Sequence, residues 1–305
     1  MYNLFYKRST GKPLAGIEKP FKTEVEFEKY LMDTKEIFSD IFILKRQVNA
    51  GRNIPDMIGI DKDNNIVIIE NKNVEVSGEI LPQILRYALW AENSPDSIRA
   101  MWLEAKNRPD DIEVDWDNVD IRIIVLAPSI KLSTLRVLKK INYNIELIEV
   151  KRFVVGVEEC LLLNKLEEIG NEGARVVRGL AEYNKDFYKN SHNDNSVDVF
   201  YKLIHEVEVL IKRKKWNLDT KFNKNYVGFK TGFPNVFGIQ WMGTKSLGFF
   251  FKINRSQFKF LQKVSPYTLN YDERWKQATL RYEKNVSIRK LEKVFETTYK
   301  FFVKR

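Results

Sequence analysis

Ile54-Pro55-Asp56-Met57-Ile58-Gly59-Ile60, the turn Asp61-Lys62-Asp63-Asn64-Asn65, and Ile66-Val67-Ile68-Ile69-Glu70-Asn71-Lys72 form the stretch that decides the fold. Two short apolar runs flank an Asp/Asn-rich turn, which predicts a β-hairpin. Side chains alternate along a strand, so Glu70 and Lys72 share one face while Ile69 and Asn71 point to the other. Asp56, near the start of the partner strand, comes within reach across the ladder when the hairpin is in register. An apolar strand thus ends in a carboxylate beside an ammonium, with a second carboxylate opposite.

Two carboxylates held close repel each other, and a divalent cation relieves that repulsion while supplying Lewis acidity. Oxygen ligands and only two histidines favour Mg²⁺ or Mn²⁺ over zinc. Such an ion lowers the pKa of a bound water and offsets the charge growing on a phosphodiester. Lys72 would orient the attacking water or neutralise a phosphoryl oxygen. The plain alternative is a strand with a solvated Glu/Lys ladder, because a bare Asp…Glu-x-Lys spacing is a weak signal.

The flanking segments narrow the choice. In Lys22 to Leu31, Glu24, Phe27 and Leu31 fall on one helical face, which puts the Glu24 acid on the apolar stripe. Glu26 and Glu28 read as solvated helix surface. Ile80 to Trp90 is again helical in period, with Pro82 acceptable in a first turn. Leu81, Ile84, Leu85, Ala88 and Leu89 are its expected core face, and Gln83, Arg86, Tyr87 and Trp90 lie opposite. Gln83, Arg86 and Tyr87 would make a phosphate-facing set if that side borders the hairpin.

Thr-Glu-x-x-Phe-Glu-x-x-Leu (residues 23–31), Gly-Arg-x-Ile-Pro-Asp (51–56), Ile-Ile-Glu-Asn-Lys (68–72) and Gln-x-x-x-Tyr (83–87) together resemble the catalytic domain of the NucS-like endonucleases, within the PD-(D/E)xK nuclease superfamily. The likeness covers roughly residues 20–165 and takes in Ile123 to Ser129 and Asn144 to Val150, which resemble the family's last core strands. It implies a restriction-endonuclease-like α/β core, a mixed sheet flanked by helices, and metal-dependent hydrolysis of DNA phosphodiesters. Carried over by motif position, its active site is Glu24, Asp56, Glu70, Lys72, Gln83 and Tyr87. The metal, Mg²⁺ or Mn²⁺, falls to Asp56 and Glu70, with Glu24 helping and the Asn71 backbone carbonyl as a further ligand. Two departures stand out. Asn71 occupies a place where the family often has an apolar residue, and no separate sheet domain precedes the nuclease-like segment, so the mismatch or branched-DNA preference of some relatives is not implied.

Composition sets the remaining bounds. The chain has 305 residues, 44% hydrophobic and 30% charged, which suits two ordinary soluble domains. No apolar run is long enough to span a bilayer, and the N-terminus lacks a signal-peptide core, so the expectation is a cytoplasmic protein. The single Cys160 reads as a small core residue, and His192 and His205 are too separated for a histidine-based site. Charge is uneven. Residues 1–160 carry 23 Lys+Arg against 26 Asp+Glu, a net of −3, and residues 161–305 carry 28 against 15, a net of +13. A basic second half is expected to meet a polyanion, DNA first.

The predicted organisation is an N-terminal arm (1–19), a nuclease domain (20–165), a helical connector and linker (166–195) and a smaller basic α+β domain (196–305). Arg46 and Arg52, beside the expected metal site, are candidate phosphate contacts. Lys212-Arg213-Lys214-Lys215 ends a predicted helix, where it either matches the dipole or contacts nucleic acid. Trp216, Trp241, Phe249 and Phe251 read as core of the second domain. Partner expectations are nucleic acid, no membrane, and compatibility with a homodimer. RNA as substrate and a non-catalytic docking protein on a nuclease-like fold are the alternatives.

Overall fold

The structure is a computed structural model that describes all residues except 1–3, 8–10, 48–54, 110–111, 113, 117–118, 139–140, 167–182, 233 and 304–305. Two compact units are present. The first comprises Met1–Lys35, Ile41–Ala105 and Val114–Leu180, and the second Glu36–Asp40, Lys106–Glu113 and Ala181–Arg305.

In the first unit, β1 (Phe5–Tyr6) pairs with β2 (Leu14–Ala15), and β3 (Ile17–Glu18) joins the main sheet. The helix α1 (Glu24–Asp33) starts where Thr23 Oγ1 accepts the Glu26 amide at 3.0 Å, an ordinary N-cap. It buries Phe27 and Leu31, as its period predicts. Strands β4 (Ile41–Arg46), β5 (Met57–Asp61) and β6 (Ile66–Asn71) are antiparallel neighbours. The hairpin stands in the expected register, with Met57 opposite Ile69 and Ile60 opposite Ile66. Its turn is built by Asp61, whose Oδ1 accepts the amides of Asp63 and Asn65 at 2.9 and 3.0 Å.

Then follow β7 (Glu75–Val76), α2 (Leu81–Asn93), α3 (Pro95–Glu104), β8 (Ile121–Ala127), β9 (Ser129–Ile130), α4 (Leu132–Leu138), β10 (Asn144–Val155) and β11 (Glu158–Lys165). The sheet order is β11-β10-β8-β6-β5-β4, with β3 beside the end of β10. Strands β6, β8 and β10 run parallel and the others antiparallel. This is the expected mixed sheet with helices against it, α1 and α2 on β6 and α3 on β4. All six residues of β6 are buried, because a mid-sheet parallel strand is covered on both faces. Glu70 and Asn71 are therefore polar groups inside a strand that otherwise reads as core.

Several details differ from the sequence reading. The last core strand that the resemblance places at Asn144 to Val150 runs on to Val155 as one twelve-residue strand, β10, which turns at Gly156 with φ +64°. In α2 the buried side includes Tyr87 and Ala91 while Leu89 is exposed, so the helix is rotated from the face its leucines suggested.

In the second unit, α5 (Lys185–Ser191) and α6 (Asp194–Lys214) lead into β12 (Asp219–Phe222), β13 (Tyr226–Lys230), β14 (Asn235–Trp241) and β15 (Leu247–Lys252). Then come α7 (Arg255–Val264), β16 (Asn270–Asp272), β17 (Gln277–Arg281) and α8 (Ile288–Val303). The sheet is antiparallel in the order β12-β13-β14-β15-β17-β16, and α6 and α8 pack on it. The expected α+β domain is thus built on a meander, β13-β14-β15, flanked by β12 on one side and β17 and β16 on the other. Trp241, Phe249 and Phe251 are core, and Trp216 packs against it. Of the helical connector and linker expected over 166–195, residues 167–182 lie outside the described residues. The polar run Asn190 to Asn195 is not an open linker: His192 stacks on Trp241 with ring centroids 3.7 Å apart, and the Asn193 amide donates to Thr244 O at 3.2 Å. Among the described residues, no helix is long and apolar enough to cross a membrane.

Where β4 presses on β5, a Cβ on Gly59 would lie 2.7 Å from both the Phe42 carbonyl oxygen and Ile41 Cγ2. Gly59→Ala is thus expected to destabilise the fold by about 1–3 kcal/mol, the usual cost of overpacking. The urea midpoint of the two chains checks this.

Candidate functional site

The parallel strands β6 and β8 carry the site at their C-terminal ends. Glu70 is 1% exposed, and its Oε1 takes two donors: Lys72 Nζ at 2.6 Å and Gln83 Nε2 at 2.6 Å. Gln83 sits one turn before Tyr87 on α2, and its Nε2 also donates to the Tyr87 hydroxyl at 2.7 Å. Both amide hydrogens of Gln83 are thereby used, one holding Glu70 and one holding the buried Tyr87. The pair braces Glu70 rather than presenting free donors to a phosphate. Asp56 Oδ2 accepts the backbone amide of Asn71 at 2.7 Å, which brings the second carboxylate across the hairpin to the same strand end. Lys72 leaves β6 with its own amide bonded to Leu126 O at 2.9 Å, and its ammonium reaches Glu24 Oε1 at 3.8 Å.

The structure therefore gathers Glu24, Asp56, Glu70, Lys72, Gln83 and Tyr87 around one strand end. Glu24 stands at the rim, exposed rather than buried on the apolar stripe. Asn71 splits its roles. Its backbone serves Asp56, while its side chain, fully buried on the other face, leaves both Oδ1 and Nδ2 without a partner among the described residues. Arg52 lies outside the described residues, and Arg86 is exposed on α2. In the second unit Arg213 is bonded to Glu292 at 2.5 Å, and Lys214 lies 2.8 Å from Glu292 and 4.0 Å from Glu296. Lys212 and Lys215 remain exposed.

One further acid escaped the sequence reading. Glu28 is buried, not solvated, and its Oε1 takes Arg46 Nε at 2.8 Å and Nη2 at 2.6 Å. Its negative charge also reaches Asp56. The helix α1 thus offers Glu24 to Lys72 and, one turn on, Glu28 to Arg46. The signal was available, because i and i+4 share a helix face and Glu24 had already been placed on it.

Electrostatically the strand end is crowded with negative charge. Burial, then the neighbouring Asp56, pushes the Glu70 carboxyl up to about 7 against an ordinary 4.5, even with Lys72 beside it. Burial also raises Asp56, opposed by the Asn71 amide and Lys72. Burial works against the charge on Lys72, yet its bond to Glu70 and the nearby acids outweigh it and hold the ammonium above its usual value. The remaining lone pairs matter most: Glu70 Oε2 is buried and, among the described residues, accepts no hydrogen bond. Among the described residues, no three Asp, Glu, His or Cys side chains form a ready metal cage. What is present is a carboxylate pair with an unused oxygen.

No protein-family profile matches the chain, and no curated protein does. Among solved structures, an EndoMS–dsDNA complex is similar at 17% identity and a TM-score of 0.31, over 48% of this chain and 64% of that one. A repair endonuclease from Pyrococcus abyssi aligns at 17% identity and a TM-score of 0.28, over 48% and 65%. EndoMS in its apo form gives 16% and 0.26, over 48% and 64%. The chain spans under two thirds of these structures. Likenesses this distant carry no conclusion about activity.

Two outcomes follow from the buried polar groups. Between pH 4.5 and about 7 the native state holds a proton on Glu70 that the unfolded chain has released, so stability falls as pH rises through that window. In melts run in EDTA, Glu70→Gln is expected to gain on the wild type as pH goes from about 5 to 8, by up to about 3 kcal/mol. Replacing the orphaned Asn71 amide by the similarly sized Leu is expected to raise stability by about 1–3 kcal/mol. Because the backbone carbonyl is kept, Asn71→Leu should lose no activity that the wild type shows.

Proposed function

We propose that the chain is a divalent-metal-dependent endonuclease that hydrolyses DNA phosphodiester bonds. The observation that carries this reading is Glu70 Oε2, a carboxylate oxygen buried without a partner among the described residues, next to the half-buried Asp56. A desolvated, self-repelling carboxylate pair is costly alone and fits a small cation that tolerates few protein ligands and keeps its own waters. Asp56 and Glu70 would hold Mg²⁺ or Mn²⁺, with the Asn71 carbonyl and, through water, Glu24 completing the set. When bound, the ion supplies an acidified water and charge to offset that on the scissile phosphate.

The protein's own residues do the rest. Gln83 and Tyr87 lock the Glu70 rotamer so that Oε2 keeps its direction. Lys72 Nζ, shared between Glu70 and Glu24, is placed to orient a water or to neutralise a phosphoryl oxygen. Glu28 holds the half-exposed Arg46 guanidinium at the edge, where it can meet a neighbouring phosphate of the strand. DNA rather than RNA is the favoured substrate on the resemblance of the motifs. The second unit, which contains most of the basic surplus, aids nucleic-acid binding.

Digestion of plasmid, single-stranded, duplex, branched, mismatched and RNA substrates with Mg²⁺ or Mn²⁺ tests the reading. Wild type is expected to cut, and Asp56→Ala and Glu70→Gln to lose at least about a hundredfold in rate. Equal activity in wild type and Asp56→Ala would reject the assignment.

A further inference from the structure

We infer that the outward face of α7 is a nucleic-acid docking surface. The inference rests on the reading above only in choosing a nucleic acid as the polyanion. The basic run at the end of α6 looked like the contact from sequence. In the fold, Arg213 and Lys214 are committed to Glu292 and Glu296 of α8. Their charge is balanced within the unit.

The helix α7 is different. Its sequence, Arg-Ser-Gln-Phe-Lys-Phe-Leu-Gln-Lys-Val, contains no acid. Its exposed residues are Arg255, Ser256, Lys259, Phe260 and Lys263. The three bases stand at i, i+4 and i+8, a single row with about 6 Å of rise between members. Among the described residues, no carboxylate pairs with Lys259 or Lys263. Arg255 lies over the Tyr271 ring, its guanidinium carbon 5.0 Å from the centroid, which fixes one end of the row.

A basic amphipathic helix can also lie on a membrane, but only if its apolar face is free. Here that face is spent. Leu261 is fully buried, and Phe258 and Val264 pack on the core. The one large apolar group left outside is Phe260, 54% exposed, with its ring edge-on to Phe301 at 5.7 Å. A row of cations with one braced ring beside it suits a phosphate backbone and an unstacked base. Phosphates meet Arg255, Lys259 and Lys263, and Phe260 offers a stacking surface when the strand is single.

The test uses the full chain in EDTA, so that no cutting occurs, with fluorescein-labelled single-stranded and duplex oligonucleotides followed by anisotropy across salt. Lys259→Glu/Lys263→Glu is expected to weaken binding at least tenfold at about 0.1 M salt and to reduce the slope of log K against log salt by about 2. The reversal Lys212→Glu/Lys215→Glu should have a smaller effect on both. Phe260→Ala should weaken the single strand and spare the duplex. Circular dichroism checks folding, and the milder Lys259→Gln/Lys263→Gln pair serves if the reversal misfolds. The proposal is overturned if wild type binds neither oligonucleotide or if the α7 variants leave affinity and slope unchanged. It also falls if the variants abolish binding to phosphatidylglycerol vesicles but not to DNA. Loss of cutting with binding intact would count against the nuclease reading and not against this one.

Discussion

Two acids, Asp56 and Glu70, share the end of a buried strand, and the rest of the first unit can be read from that constraint. The hydrogen bond from the Asn71 amide to Asp56 Oδ2 pins one carboxylate across the hairpin, and Lys72 with Gln83 pins the other. Neither arrangement removes the repulsion, because both groups are desolvated and Lys72 compensates only one oxygen. The fold thus spends stability at this point, which natural sheets do at sites of function more readily than elsewhere.

The surrounding elements answer that cost in layers. The parallel β6 and β8 supply a rigid floor. The helix α2 gives a Gln–Tyr brace, and α1 gives two acids one turn apart, each holding a base. Glu24 leans toward Lys72, and Glu28 fixes Arg46. Among the described residues, acids therefore outnumber bases at the strand end, an imbalance that a bound cation would offset.

Much of this was legible in the residues. Alternation placed Glu70 and Lys72 together and Asn71 apart, and the hairpin register followed from the turn. The helical period located α1 and α2. What escaped had physical causes. The motif places Gln83 and Tyr87 at the site, but a leucine-rich period misjudges the buried face of α2, because the polar brace draws Tyr87 in and leaves Leu89 out. Glu28 shares the helix face that carries Glu24, but the helical period does not name its partner, Arg46 in β4, eighteen residues on. The stretch around His192 was read as a linker because stacking on Trp241 is a long-range contact that composition cannot announce. In the second unit only the fold shows that Arg213 and Lys214 of the basic run are paired with acids of α8, while Lys212 and Lys215 stay exposed.

The central claim is that the Asp56/Glu70 pair exists to take a divalent cation, and proton linkage examines it most directly. Titrating Mn²⁺ into the protein by calorimetry, near pH 6.5 and in buffers of different ionisation enthalpy, reads both binding and the protons displaced. The account predicts one site whose occupation releases part of a proton from Glu70, with release shrinking toward pH 8 and binding lost in Glu70→Gln. Binding that displaces no proton, or the absence of any binding dependent on Glu70, would contradict it.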